Sequence, residues 1–283
     1  PPCQGFSTSN QKTRTADNPD NWLFREYIRI AELWQPDWVV FENVRGIAET
    51  LKGMFLDMVI GELERIGYTV SWWVLKATDY GVPQNRARFF AVGSRAGIVL
   101  PKPKASAAKS ITVKQAINDL PKLENGASVD RLPYRSIMPS AYARQMRQGL
   151  RMCGNHVVTK SAPIILKRYK HVPQGGNWEN IPGRLMTNYV DRTRCHTGIY
   201  YRLRADQPAV FIGNFRKNML IHPTQDRGLS VREAARLQSF PDWYEFRESI
   251  GFQQQQVGNA VPPLLANAVF AAIISTHATT ARS

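Results

Sequence analysis

Cysteine and long apolar runs are both scarce in this chain of 283 residues. Its three cysteines, Cys3, Cys153 and Cys195, are too few for a disulfide framework. Their small number indicates a reducing, cytoplasmic setting and leaves a thiol available for chemistry. No apolar run reaches the length of a membrane span, and no secretory signal is visible, so we expect no membrane association.

Carboxylates are also scarce relative to basic residues. The chain has 22 Asp and Glu against 37 Lys and Arg, a formal net charge of +15. A solvated surface explains a high charge content but not so uneven a sign, so a polyanion, and nucleic acid first, is the predicted partner. The hydrophobic content of 43% is enough for one large domain or two smaller ones.

The first hundred residues alternate between two kinds of apolar pattern. Helical spacing predicts helices over residues 21–34 and 54–66, and apolar runs predict strands over 38–41, 68–77 and 89–92. The continuous run at 38–41 is typical of a strand buried on both faces. This rhythm predicts an α/β sheet with crossovers, with Glu42 at the carboxyl end of a strand, where such sheets bind ligands.

The composition changes after Lys104. Residues 105–227 are basic, rich in Gly, Pro and Tyr, and poorly periodic, which predicts a smaller, irregular and β-rich domain. Residues 1–104 and 228–283 form the other domain. Within its second part, Ser230 and Glu233 predict a helix with a capping box. Residues 256–263 are expected to be a tight loop before a last helix, 264–275, that is buried nearly all round.

Five short motifs together resemble those of the DNA cytosine-5 methyltransferases. They are Pro1-Pro2-Cys3-Gln4-Gly5-Phe6-Ser7, Phe41-Glu42-Asn43-Val44, Gln84-Asn85-Arg86-Ala87-Arg88, Val231-Arg232-Glu233-Ala234-Ala235-Arg236-Leu237-Gln238-Ser239-Phe240-Pro241 and Val257-Gly258-Asn259-Ala260-Val261. Their order and spacing match the family, and they frame almost the whole chain. The resemblance implies a Rossmann-like S-adenosylmethionine-dependent methyltransferase sheet, with residues 105–227 as the target-recognition domain for double-stranded DNA.

The resemblance also implies a mechanism that suits these residue types. C5 of cytosine is a poor nucleophile, so a thiolate from Cys3 first adds to C6. Glu42 holds a proton at N3, which requires a raised pKa in a dry pocket. The activated ring then takes the methyl group at C5. The base must leave the duplex for this chemistry, and a basic domain supports that step by binding phosphates.

The remaining site residues follow from the same resemblance. Arg86 and Arg88 alternate along an extended segment and are expected to steady the cytosine and the catalytic loop. The cofactor-binding residues are expected to be Pro2, Leu23, Asn259 and Ala260. A metal site is not expected, because the spacing of Cys153 with His156, and of Cys195 with His196, is irregular.

The chain departs from the family pattern in two places. The Phe-x-Gly-x-Gly cofactor loop and the first strands of the sheet are missing, so we expect either a fragment or a second polypeptide that completes the cofactor site. Residues 208–213 also lack the Thr that the family usually has before its fourth motif. Two alternatives remain open, namely a tRNA cytosine-5 methyltransferase and a non-catalytic DNA-binding subunit.

Overall fold

The computed structural model describes residues 22–106, 109–187, 198–217 and 219–280. The chain forms two compact units that interleave along the sequence. The first unit comprises Pro1–Lys76, Ala87–Ala105 and Ala266–Ser283, and the second comprises Ala77–Arg86 and Ser106–Leu265. We describe each unit by itself.

The first unit is built on a three-stranded sheet. Its elements are α1 (Phe24–Trp34), β1 (Trp38–Val44), α2 (Met54–Arg65), β2 (Thr69–Lys76) and β3 (Ala87–Ser94). The strand order is β1-β3-β2, and β3 is antiparallel to both neighbours. Strands β1 and β2 therefore run in the same direction and are connected through α2, which confirms the predicted crossover.

Burial in the sheet differs from the sequence prediction. We expected the strand at 38–41 to be buried on both faces, but β1 alternates between buried and half-buried positions. The central strand β3 is buried along seven of its eight residues instead, since it has a neighbour on each side. The prediction for Glu42 was also wrong in detail, because β1 continues to Val44 and Glu42 lies within the strand.

Aromatic packing fills the space between this sheet and its helices. Phe41 of β1 and Phe89 of β3 meet edge to face at 6.4 Å, and Phe55 of α2 is fully buried. Gly93 is required here, because a Cβ atom would lie 2.7 Å from Cγ2 of Val39. Helix α1 begins at Phe24 and not, as the sequence had predicted, at residue 21. Helix α2 ends at Arg65, two residues before Gly67, whose φ of +92° suits glycine.

The second unit contains short helices joined by long irregular segments. Its elements are α3 (Val113–Ile117), β4 (Leu132–Pro133), α4 (Ala141–Arg147), β5 (Met152–Cys153), α5 (Pro163–Tyr169), α6 (Val231–Leu237) and α7 (Ile250–Asn259). Strands β4 and β5 pair antiparallel. The capping box of α6 is confirmed, since Ser230 Oγ accepts from the Glu233 amide and Glu233 accepts from the Ser230 amide.

The end of the chain corrects two expectations. Residues 256–259 are the last turn of α7 rather than a loop, and the break covers only residues 260–262. Pro262 enforces that break because it lacks an amide hydrogen and disfavours helical backbone at the preceding residue. The last helix, α8 (Pro263–Thr280), is not buried all round, since it buries Val269 but leaves Phe270 51% and Ile274 68% exposed.

In the described part of the chain, no single helix combines the length and apolarity needed to cross a membrane. One bent pair, residues 250–259 with 263–278, meets that test by length and composition only.

Candidate active site

Glu42 and Arg88 form an ion pair across two neighbouring strands of the first unit. Glu42 on β1 is opposite Phe90 on β3, and Arg88 lies two residues before Phe90 on the same face. The two side chains are therefore diagonal neighbours, and Arg88 Nε lies 2.9 Å from Glu42 Oε1. The Arg88 side chain is only 7% exposed, whereas that of Glu42 is 30% exposed.

The position of Arg88 affects both the orientation and the protonation of the Glu42 carboxyl group. A guanidinium at hydrogen-bond distance favours the ionised form of a carboxyl group, whereas enclosure in a dry pocket favours the protonated form. Glu42 has the first of these two influences from Arg88 and keeps partial contact with solvent. Arg88 thus holds the Glu42 side chain, and 30% of that side chain stays exposed.

Arg86, by contrast, is engaged by backbone carbonyls of the second unit. Its guanidinium donates to the carbonyl oxygens of Ile212 at 3.0 Å, Gly258 at 3.1 Å and Ala260 at 2.9 Å. It also lies 4.7 Å from the ring centroid of Phe211. Arg86 is 3% exposed, so its observed role is to tie the segment around 212 to the segment around 258–260.

Gln84 belongs to the same tie, and its role was missed from the sequence. Its side chain is fully buried, accepts from the Ile212 amide at 3.0 Å and donates to the Leu237 carbonyl at 3.2 Å. The backbone at 84 also bridges to Ala209 in parallel, and Asn85 donates to the Ala209 carbonyl at 2.8 Å. The segment 208–213, where the family's Thr is missing, is therefore attached directly to this motif.

Gly258 permits a close backbone approach in the same region. A Cβ atom at this position would lie 2.3 Å from the Gly213 carbonyl oxygen, so only glycine fits without movement. The next residue, Asn259, ends α7 with an exposed side chain, and Ala260 turns to extended backbone with φ −63° and ψ 150°. A glycine in a short motif was the only sequence signal for this contact.

Of the other predicted site residues, only Leu23 lies within the described part of the chain. Leu23 belongs to the first unit, directly before α1, and is 41% exposed. Pro2 and Cys3 lie outside the described residues, and so do Cys195 and His196.

Cys153 and His156 are engaged in internal contacts. The ring nitrogens of His156 lie 2.9 Å from Ser230 Oγ and 2.9 Å from the Pro121 carbonyl oxygen. Cys153 Sγ lies 3.4 Å from the Leu132 carbonyl, and burial raises the pKa of this thiol to about 11, so it stays protonated and weakly nucleophilic. No group of three potential metal ligands occurs in the described ranges.

Sequence reasoning also missed the buried arginines of α6. Arg236 is fully buried, with Nη1 2.6 Å from Asp119 Oδ1 and Nη2 2.5 Å from Asp242 Oδ2. Arg232, equally buried, donates to the carbonyls of Gly154 and Tyr244 at 2.8 and 2.7 Å. Their positions one helical turn apart on a short helix were the only sequence signal that they share a face.

Comparison with known proteins gives a family match and several relatives. The model of the C-5 cytosine-specific DNA methylase family matches residues 1–275. The chain is 37% identical to Type II methyltransferase M1.HphI of Haemophilus parahaemolyticus over 97% of this chain and 66% of that protein. It is 30% identical to DNA (cytosine-5)-methyltransferase 1A of Oryza sativa over 95% of this chain but 21% of that protein. The chain thus spans about two thirds of the first relative and about a fifth of the second.

Solved structures show the same fold. A prophage-encoded DNA modification methyltransferase from E. coli superposes with a TM-score of 0.74 at 22% identity, covering 97% of this chain and 77% of that one. The Entamoeba histolytica methyltransferase EhMeth gives a TM-score of 0.59 at 13% identity, covering 98% of this chain and 75% of that one. These likenesses confirm the predicted α/β, Rossmann-like methyltransferase fold.

Proposed function

The chain belongs to the C-5 cytosine-specific DNA methylase family, a family of S-adenosylmethionine-dependent enzymes, and from that premise we propose its reaction. The protein transfers a methyl group to C5 of a cytosine that has been flipped out of a specific duplex DNA sequence. The observation that carries this proposal is the Glu42–Arg88 pair, a carboxylate held at 2.9 Å by a buried arginine and still partly open.

The proposed reaction begins with an addition to the cytosine ring, for which Cys3 and Glu42 supply the reacting groups. The Cys3 thiolate forms a bond to C6, and the ring electrons move toward N3, where Glu42 supplies a proton. S-adenosylmethionine, when bound, would supply the electrophilic methyl group for C5 and would leave as S-adenosylhomocysteine. A base then removes the C5 proton, the sulfur is expelled from C6, and the N3 proton returns to Glu42, which restores the aromatic ring, the free thiolate and the protonated carboxyl group.

Glu42 has to gain a proton for this role, although Arg88 favours the ionised carboxylate. We expect base binding to supply the difference, since a cytosine stacked over Glu42 removes its remaining solvent contact and desolvation favours the neutral form. Arg88 would then orient the carboxyl group. Arg86 would act as a positioning residue, because its donors already bind the carbonyls of Ile212, Gly258 and Ala260.

The residues proposed to hold S-adenosylmethionine suit parts of that molecule. Leu23 exposes apolar surface next to the start of α1, and Asn259 presents an exposed amide at the end of α7. Apolar surface suits the adenine ring, and an amide suits polar groups of the ligand. Ala260 and Pro2 complete the proposed set. A segment carrying the Phe-x-Gly-x-Gly loop, from the same or a second polypeptide, would complete the pocket.

The two functional domains remain a proposal as well. Residues 1–104 and 228–283 would perform catalysis, and residues 105–227 would recognise the target. The charge distribution supports this division, because residues 105–227 hold 20 of the 37 basic residues but only 7 of the 22 acidic ones. Relatives named as type II methyltransferases support a role in modification beside a restriction enzyme.

Transfer of tritiated methyl groups tests the reaction. In the protein with a complete cofactor site, Glu42→Gln should lower transfer to duplex DNA by about 10² to 10⁴-fold, the usual contribution of a general acid. The matched control is Glu49→Gln, which removes an exposed carboxylate paired with Arg45 and should leave the rate unchanged. Equal rates for the two variants would contradict the role of Glu42.

A covalent trap tests Cys3. DNA containing 5-fluorocytosine cannot lose its C5 substituent as a proton. In the protein with a complete cofactor site, the adduct should therefore persist with Cys3 present and vanish in Cys3→Ser. An adduct that survives this substitution would remove Cys3 from the mechanism. Transfer to tRNA and not to duplex DNA would replace the proposed substrate by RNA, and absence of both transfer and adduct would favour a non-catalytic DNA-binding subunit.

Assays of DNA binding and methyl transfer on the 283 residues alone test whether another segment is needed for the cofactor site. We expect these 283 residues to bind DNA but to methylate it poorly or not at all. Full activity would contradict the proposed need for another segment.

A further inference from the structure

A groove with polar side chains lies in the second unit. Apart from Gly213, Gly258 and Asn259, its lining residues have not been discussed above. The groove has a volume of about 820 Å³ and runs between the turn at residues 213–217 and helix α7. Its polar lining residues include Asn214, Arg216, Lys217, Gln254, Gln255 and Asn259. At Gly258 and Asn259 the groove reaches the segment that Arg86 holds.

The charge of the groove has one sign. Arg216 and Lys217 are exposed cations in its wall, and none of its lining residues is acidic. No carboxylate of the described residues lies within ion-pair distance of either cation, whereas Arg204, earlier in the same unit, is paired with Asp206 at 3.0 Å. An acid-free wall with two available cations favours an anionic ligand.

The opposite wall of the groove is helix α7, which contributes the side-chain amides of Gln254 and Gln255. Gln254 is 5% exposed, and its Nε2 donates to Thr159 Oγ1 at 3.0 Å, while its Oε1 has no hydrogen-bond partner among the described residues. Gln255 is exposed on the next position of α7, and Phe252 is 60% exposed. Gly251 adjoins Arg216, since a Cβ atom there would lie 3.3 Å from its Nη1.

We propose that this groove binds the sugar-phosphate backbone of the duplex DNA on which the proposed reaction acts. Arg216 and Lys217 neutralise phosphates, Gln255 donates amide hydrogens to phosphate oxygens, and Phe252 packs on a sugar. Such phosphate and sugar contacts set the register of a protein on DNA without reading the sequence. The inference rests on the proposed function, since it takes duplex DNA as the ligand.

Salt-dependent DNA binding tests the two cations. The measurement is the anisotropy of a labelled duplex titrated with the complete protein at several salt concentrations. Arg216→Ala/Lys217→Ala should lower the slope of log K against log salt by about 2, because each neutralised phosphate contributes about 0.9. The matched control is Lys102→Ala/Lys104→Ala, which removes the same charge from two exposed lysines and should keep the wild-type slope.

Introducing a negative charge on α7 gives a second, fold-preserving test. Gln255→Glu places a carboxylate in the groove and should weaken DNA binding about tenfold at low salt, through repulsion of phosphate. Gln256→Glu is its control, since Gln256 is exposed on the same helix but does not line the groove. It should weaken binding much less.

The outcomes separate this inference from the proposed function. Equal slopes for the two double variants, with equal affinities for the two glutamate variants, would overturn the groove and leave methyl transfer untouched. Loss of DNA binding in the groove variants of a protein that transfers no methyl group would keep the groove and overturn the reaction. A groove variant that loses affinity for RNA but not for duplex DNA would overturn the choice of ligand.

Discussion

The two units of this protein are stabilised in different ways. The first unit packs aromatic and aliphatic side chains between a sheet and its helices, and three of its ion pairs, Arg29–Glu26, Arg45–Glu49 and Arg65–Glu62, lie on the surface. The described residues of the second unit form short helices and two-residue strands between irregular segments, and arginines lie inside this unit. Arg227, Arg232 and Arg236 are among its largest fully buried side chains.

The difference follows from where backbone hydrogen bonds are made. A sheet and long helices pair most backbone groups internally, so the first unit needs few buried polar side chains. Long irregular segments leave carbonyl oxygens inside the core, and each one must find a donor. An arginine supplies five donors in a fixed plane, and Arg202 shows this use, since it binds the carbonyls of Tyr169, Val172, His222 and Gln225.

The largest predicted effect concerns Arg236. Arg236→Met keeps the volume but leaves Asp119 and Asp242 buried without this partner, so the free energy of unfolding in urea should fall by about 3–5 kcal/mol. The matched change in the first unit, Arg29→Ala, removes an exposed pair and should cost about 0.5 kcal/mol or less. Similar losses for both variants would contradict the contrast between the units.

Adding Asp119→Asn and Asp242→Asn to Arg236→Met should restore part of the lost stability. The three substitutions together remove the two carboxylates that lose Arg236. Recovery should be partial, because Asp119 also pairs with Arg147 and Asp242 also lies 3.8 Å from Arg232. No recovery would mean that the loss arises from packing.

Acid should destabilise the second unit through His222. Burial, together with the neighbouring cations Arg227 and Arg202 and with His156, lowers the pKa of His222 from 6.5 to about 4, although the Glu233 carboxylate opposes that shift. Below pH 6.5 the unfolded chain therefore binds this proton first, and stability falls down to about pH 4. One such group contributes up to about 3 kcal/mol.

His222→Asn should flatten this part of the stability profile. Asn can still accept the hydrogen bond that the Thr224 amide gives to Nδ1 of His222. Glu233 and Asp242 also have lowered pKa values, but they affect stability at lower pH. Their contribution to the free energy of unfolding is lost only as pH falls below about 4. The same substitution at the exposed His171 is the control, and equal profiles for both variants would contradict the prediction.

The two arginines of one motif should separate stability from activity. Arg86→Met removes donors from two buried carbonyls and one partly buried carbonyl and should lower the free energy of unfolding by about 2–3 kcal/mol. Arg88→Met should cost less stability, because its partner Glu42 keeps solvent contact, but should lower methyl transfer more. Urea unfolding and tritium transfer on both variants measure the two effects, and the reverse order would contradict these roles.

The smallest predicted effects concern two glycines. Gly258→Ala places a Cβ atom 2.3 Å from the Gly213 carbonyl oxygen and should cost about 1–3 kcal/mol. Gly61→Ala in α2 meets nothing within 4 Å and should stabilise the first unit by about 1 kcal/mol, because alanine favours helix. Thermal unfolding of both variants measures the signs, and equal signs would contradict the difference in packing.

The regular elements of the first unit could be predicted from local pattern. The helix at 54–65, the strand at 69–76 and the middle of the strand at 87–94 follow from apolar pattern, and the capping box of α6 follows from two residues. The ends of the strand at 87–94 did not follow, since the pattern predicted only 89–92. The position of Glu42 within its strand, the last turn of α7 and the exposed face of α8 did not follow. Those features depend on which neighbour covers a strand or helix, and local sequence contains no such information.

Local pattern was enough to predict the family, the fold class and two motifs, one with Glu42 and the other with Arg86 and Arg88, because spacing and residue type are local properties. Only the tertiary structure separated the two arginines, giving Arg88 a carboxylate on the neighbouring strand and Arg86 three carbonyls distant in the chain. It also placed Arg232 and Arg236 in the core. A guanidinium takes its role from the acceptors around it, and chain folding alone brings those acceptors together.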